Sequence, residues 1–223
     1  MATGLMKPVR KIPKNYRNIT GIAAHAKANG QAMYESTLER DFLTTLEFSP
    51  EIESYVVQPV TLEWVDEQNM TKSYTPDIFV QFSNRNGARK QPLLCEIKYR
   101  QDLLKDWDQL RPKFKAAIHF AKAQGWRFKI ITECEVRDTY FHNAQFLLHH
   151  RNPIPDADVM QLLYDKLEDM REATPAALIR AVYKDEWNQA KALWVLWYMV
   201  ATFQIGVDLH SRIHMNSPIW CMP

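Results

Sequence analysis

Three residues give this chain its clearest opportunity for chemistry: Asp77 in "TPDIFV", and Glu96 and Lys98 in "CEIKYR". "LLCEI" reads as an interior strand. An interior Glu with a Lys on the same strand costs several kcal/mol unless something needs both charges. Side chains repeat every two residues along a strand, so Glu96 and Lys98 share a face. Asp77 lies at the end of an adjacent, hairpin-paired strand, which would put two carboxylates and an ammonium on one surface. Hard oxygen ligands of this kind suit Mg²⁺ or Mn²⁺, which bridge to phosphate and keep several waters. The metal would lower the pKa of a bound water and stabilise charge on phosphoryl oxygens, while Lys98 holds the water for attack. The alternative is a salt-bridged strand pair with no chemistry.

A third carboxylate on a preceding helix would complete such a site, and Glu39 is available. Met33, Leu38, Phe42, Leu43 and Leu46 recur at helical spacing and predict one amphipathic helix over 31–47, stopped by Ser49-Pro50. Glu35 is the rival carboxylate, one turn away. A strand follows over 55–65, interrupted by Pro59. "YTPDIFVQFS" is a second strand and "PLLCEIKYR" a third, separated by a turn formed by Asn84, Asn86 and Gly87. Residues 102–123 read as one long helix with Pro112 inside it, ended by Gly125. "WRFKIIT" is then a strand reached through a helix, so it can lie parallel to a neighbour. The order predicts an α/β fold with a mixed central sheet flanked by helices.

"RNPIPDADV" reads as a boundary, giving a basic arm over 1–30, a nuclease-sized domain over 31–150 and a small C-terminal domain over 151–223. In the last, three helical segments precede "GVDLHSRIHMNSPIW", a candidate hairpin. Three helices and a hairpin resemble a winged helix; a plain helical bundle is the alternative. Thr174 before Pro175 is a ready N-cap, as is Asp156. Trp187, Trp194 and Trp197 sit at helical spacing and read as core.

Composition excludes several classes. With 46% hydrophobic and 24% charged residues the chain is an ordinary globular protein. No apolar run approaches the ~18 residues of a spanning helix. Export is not expected from the N-terminal sequence, and the three cysteines, Cys95, Cys134 and Cys221, suit reduced thiols in the cytoplasm. Residues 1–34 carry Lys7, Arg10, Lys11, Lys14, Arg17 and Lys27 and no acidic residue. A basic arm of this kind tracks a phosphate backbone. His210 and His214 are four apart, but in a strand or loop that spacing does not converge on a metal.

"TPDIFV" with "CEIKYR" resembles the PD-(D/E)xK nuclease superfamily, with its restriction-endonuclease-like core. "ESTLERDFLTTLEFSPEIESYVVQP" followed by "GWRFKIITE" is similar to the TnsA-type endonuclease subunit of heteromeric transposases. The resemblance spans about residues 30–150. It implies a bacterial, cytoplasmic, Mg²⁺- or Mn²⁺-dependent DNA endonuclease. Glu39, Asp77 and Glu96 would be the metal ligands and Lys98 the catalytic lysine. It also implies transposon-end double-stranded DNA as substrate, with cleavage at the 5′ ends. The implied partners are a TnsB-type transposase that cuts and joins the 3′ ends and a TnsC-type ATP-dependent regulator. The chain has no Gly-rich phosphate loop of its own, in keeping with ATP use by another subunit. The rival readings are a restriction endonuclease or junction resolvase on the same core, or a DNA-binding module without chemistry.

The arm generates a first prediction. Deleting residues 1–20 should weaken binding to all DNA sequences alike. The slope of log affinity against log salt should flatten by about 0.9 for each phosphate that the shortened protein no longer neutralises. Filter-binding titrations over salt check it, and an unchanged slope returns the arm to a solvated tail.

Overall fold

The computed structural model describes residues 21–23, 25–66, 68–84 and 90–222. Residues 1–20 of the basic arm, and Asn86 and Gly87 of the expected turn, lie outside the described residues. The chain divides into two compact units, Met1–Arg137 and Asp138–Pro223.

The first unit is built on a sheet of four strands: β3 (Ile52–Val57), β6 (Ile78–Phe82), β7 (Leu93–Ile97) and β8 (Arg127–Ile131). They lie side by side in the order β3-β6-β7-β8. β3, β6 and β7 pair antiparallel, and β8 joins β7 in parallel, so the sheet is mixed as expected. The parallel pair is possible because a helix carries the chain back between them. That helix is not continuous: α2 (Arg100–Lys105) ends at Asp106 and α3 (Trp107–Ala123) begins there, with Pro112 inside α3. The break precedes Pro112, which lies past the first turn of α3 and leaves the Asp108 carbonyl without its usual helical N–H donor.

Strand alternation sorts the two faces. Ile78, Val80, Cys95 and Ile97 pack with Leu38, Leu43 and Leu46 of α1 (Thr37–Phe48). Val136, from the short helix α4 (Glu133–Val136) that follows β8, joins the same cluster. Phe79 and Leu94 turn the other way, onto Ala121 of α3 with Phe120, Trp126 and Phe128 around them. By the same period of two, Glu96 falls on the α3 side, beneath a helix. Two short pairs flank this sheet, β1 (Gly21–Ala23) with β2 (Ala32–Tyr34), and β4 (Leu62–Val65) with β5 (Thr71–Tyr74). The strand expected over 55–65 is thus two strands in different sheets, separated at Gln58–Thr61 where Pro59 removes a ladder donor.

α1 starts six residues later than its apolar spacing suggests, at Thr37 instead of 31. Ser36 is the N-cap: its Oγ accepts the Glu39 N–H at 3.1 Å and donates to Glu39 Oε1 at 2.9 Å. Ser36-Thr37-Leu38-Glu39 is a capping-box sequence, and it overrides the periodicity that continues upstream through Met33.

The second unit begins earlier than the expected boundary at 151, because α5 (Thr139–Leu148) packs on α8 (Glu186–Ala201). With α6 (Ala157–Met170) and α7 (Pro175–Val182) these helices bury Leu147, Leu163, Leu167, Leu178 and Leu196. Asp156 and Thr174 cap α6 and α7 as expected. β10 (Ile205–Val207) and β11 (Ile219–Cys221) form the hairpin, and β9 (Glu172–Ala173) pairs with β11 to give a three-stranded sheet. This is a winged-helix-like arrangement. Buried Asn143 of α5 pins the connection between β10 and β11, donating to Leu209 and Ser211 carbonyls and accepting the Ile213 N–H. Trp197 is core, but Trp187 is 72% exposed, correcting the expectation for it. It stands in the first turn of α8, ahead of the buried half that starts at Ala192.

The cap yields a stability prediction. Ser36→Ala should cost about 1 kcal/mol in urea unfolding, the usual loss for an N-cap serine. An unchanged midpoint would mean that the start of α1 is held by its packing and not by the cap.

Candidate active site

Asp77 immediately precedes β6, and the register Ile78 to Cys95 brings it alongside the end of β7. Its Oδ2 accepts the Ile97 N–H at 2.6 Å, which locks the carboxylate onto that strand. Glu96 is 2% exposed. It survives there because both oxygens are engaged: Oε2 accepts the Tyr74 hydroxyl at 2.5 Å and Oε1 accepts Lys113 Nζ at 3.0 Å. Lys98, on the same face, stands with Nζ 3.9 Å from Glu96 Oε1 and is half-exposed. The ammonium that neutralises Glu96 is therefore Lys113 of α3, and Lys98 is the more loosely held cation.

Charge couples these groups. Burial raises the Asp77 carboxyl well above its usual range, and the negative charges of Glu96 and Glu39 raise it further, against the Ile97 N–H and the Lys98 ammonium. Burial also raises Glu39, opposed by hydrogen bonds from the Glu35 N–H and Ser36 and by Lys98, with Glu35 adding repulsion. For a carboxyl raised in this way, the folded state gains from holding the proton. That stability is present at low pH and is lost as pH rises through the folded pKa. Above the ordinary carboxylate range the raised Asp77 carboxyl therefore costs the fold stability.

The structure thus brings Asp77, Glu96 and Lys98 together, with Glu39 near enough for its charge to act on Asp77. Glu39 also supports the entry to α1, since besides its bonds with Ser36 its carboxylate accepts the Glu35 N–H at 2.8 Å. Glu35 lies before the helix and turns elsewhere, its Oε1 accepting Gln58 Nε2 at 3.2 Å. Among the described residues, no three His, Cys, Asp or Glu side chains are gathered into a ready-made metal cage. Sequence reasoning missed Tyr74, Lys113 and Gln58. Tyr74 stands three residues before Asp77 and was within reach of a motif search. Lys113 had no sequence signal, since only the folding of α3 over β7 brings it to Glu96.

Residues 49–133 match the family described as TnsA-like endonuclease N terminal, and residues 135–209 match TnsA endonuclease C terminal. The chain belongs to the TnsA endonuclease family. No curated protein matches it in sequence. The first match spans Asp77, Glu96 and Lys98, whereas Glu39 precedes it, so Glu39 is tied to the site by the charge interaction and the cap. The change from one match to the next falls beside the division between the two compact units. TnsA family membership makes this chain a nuclease and an endonuclease subunit of a transposase, with DNA and transposase partners. Among the described residues no helix is long and apolar enough to cross a membrane.

The two lysines give a paired prediction. Without divalent ions, Lys113→Met should lower stability by about 3 kcal/mol, because it leaves a buried carboxylate without its charge partner. Lys98→Met should cost less than about 1 kcal/mol, as partly solvated ion pairs do. Denaturant unfolding of both variants checks this, and the reverse order would make Lys98 the neutralising partner.

Proposed function

We propose that the chain is the Mg²⁺- or Mn²⁺-dependent subunit that cleaves the 5′ ends of a transposon during cut-and-paste transposition. The observation that carries the reading is the meeting of half-buried Asp77 and buried Glu96, with Lys98 on the same strand face. The donor set fits the ion. All the groups are hard oxygens, ionisation of Asp77 is opposed by burial, Glu96 and Glu39 in a way that a divalent cation would offset, and Mg²⁺ is usually bound by one or two carboxylates plus substrate phosphate instead of a closed cage.

Asp77 and Glu96 would hold the metal, with Glu39 completing the set. When bound, the metal supplies Lewis-acid stabilisation of the phosphoryl oxygens and lowers the pKa of a water at neutral pH. Asp77 is fixed by the Ile97 N–H, so it presents its other oxygen without rotating. Tyr74 and Lys113 hold Glu96 in a single orientation. Lys98, half-exposed and loosely paired, is able to orient the attacking water or to meet the phosphate. The family's partners enter here as part of the proposal: a TnsB-type transposase acting at the 3′ ends, and a TnsC-type ATP-dependent regulator contacting the second unit. The setting is the bacterial cytoplasm.

Mapping strand breaks on transposon-end duplexes, with the partner transposase present, tests the reading. Asp77→Ala and Glu96→Ala should each lose nicking by more than the about 10–100-fold that outer-shell changes cost at metal sites, while still binding DNA. Glu39→Gln, which keeps an acceptor for the cap, should be similarly impaired, and Glu35→Ala much less so. Lys98→Ala should be stable and inactive. Full nicking by Asp77→Ala, or cleavage that persists in EDTA, overturns the proposal. DNA association without nicking under any divalent ion would favour the binding-module alternative.

A further inference from the structure

Gln58 is 6% exposed and is buried between β3 and the site. Its backbone has φ of 49°, the left-handed region that favours glycine, and its N–H donates to the Asp77 carbonyl at 2.7 Å. A non-glycine residue keeps such a conformation only where its surroundings over-determine it, and such outliers cluster at functional sites. The side-chain amide is oriented without ambiguity. Nε2 donates to Glu35 Oε1, and a flipped amide would set oxygen against carboxylate. Oε1 is then fixed as an acceptor, yet it is buried and takes no hydrogen bond from the described residues. A buried acceptor of this kind is costly unless an ion or water occupies it.

Its neighbours identify the occupant. Glu35 touches Glu39, Glu39 acts on Asp77, and Gln58 binds the main chain of Asp77 itself. An amide oxygen on a residue whose nitrogen holds Glu35 and whose main chain holds Asp77 suits a hard divalent cation, which commonly takes Gln or Asn carbonyls along with carboxylates. We infer that Gln58 Oε1 is a further oxygen ligand of the divalent-ion centre, binding the cation either directly or through one of its coordinated waters. This rests on the metal-dependent reading above and adds a ligand that the Asp77, Glu96 and Lys98 pattern does not contain. Glu35 acquires a role in turn: it does not hold the metal but orients the amide that does.

The test is Mn²⁺ binding to the full chain, followed by electron paramagnetic resonance. Two variants separate backbone from side chain. Gln58→Gly relaxes the positive φ and removes the amide, whereas Gln58→Met fills the space and removes only the polar atoms. Both should weaken Mn²⁺ by about tenfold or more, the scale of supporting residues at metal sites. Asp77→Asn should weaken it further. A readout on the unmutated protein stands beside them: Mg²⁺ should shift the Gln58 side-chain amide signals in a nitrogen-15 spectrum and leave those of Gln161 in place. If the wild type binds Mn²⁺, Asp77→Asn loses it and both Gln58 variants keep it, with the amide signals unmoved, the Gln58 assignment is overturned and the carboxylate site stands. If the wild type binds no Mn²⁺, both fall together.

Discussion

A carboxylate buried beneath a helix sets the terms for the rest of the first unit. Glu96 sits on the α3 face of β7, where strand alternation would otherwise place an apolar residue like Leu94. Holding a charge there requires partners, and they come from two separate elements: Tyr74 from β5 and Lys113 from α3. The ring of Tyr74 also lies under the Lys113 ammonium, 4.6 Å from its centroid, so the three groups form one unit. The β4–β5 ribbon and α3 are thereby fastened to the same strand end. The apolar packing of Leu62 and Tyr74 on Ala117 does the rest.

The second carboxylate makes sense against this first one. Asp77 is brought next to Glu96 by the antiparallel register of β6 and β7. Lys113 is committed to Glu96, and backbone donation from Ile97 only partly offsets the burial of Asp77. A protein selected for stability alone would place an amide or an apolar residue there. The arrangement resembles other sites where strain is retained for function, and the positive φ at Gln58 belongs with it.

Much of this was legible in the sequence. The alternation of "LLCEI", the Pro-Asp ahead of an apolar run and the helix before "WRFKIIT" carried the mixed sheet and the Asp77, Glu96 and Lys98 group. What escaped were interactions that depend on three-dimensional placement. Lys113 is separated from Glu96 by the α2–α3 break, and nothing in its local sequence distinguishes it from Lys115 on the same helix. The start of α1 was readable from Ser36 and Glu39, but apolar spacing through Met33 masked it. In the second unit the hairpin and caps followed from Gly, Pro and Asx positions, whereas the burial of α5 against α8 is a packing outcome that placed the division before α5.

In the proposed function the unfavourable charge at Asp77 beside Glu96 is kept for a divalent cation. Thermal unfolding of the wild type and Asp77→Asn, each with and without Mg²⁺, tests it most directly. Without Mg²⁺, Asp77→Asn should melt above the wild type at neutral pH, since the amide removes a carboxyl whose ionisation burial, Glu96 and Glu39 oppose. Mg²⁺ at a hundred times its Kd should then add about 2.7 kcal/mol to the wild type and little to the variant, closing or reversing the gap. An Asp77→Asn protein that melts lower without the metal, and gains as much from Mg²⁺ as the wild type does, would contradict it.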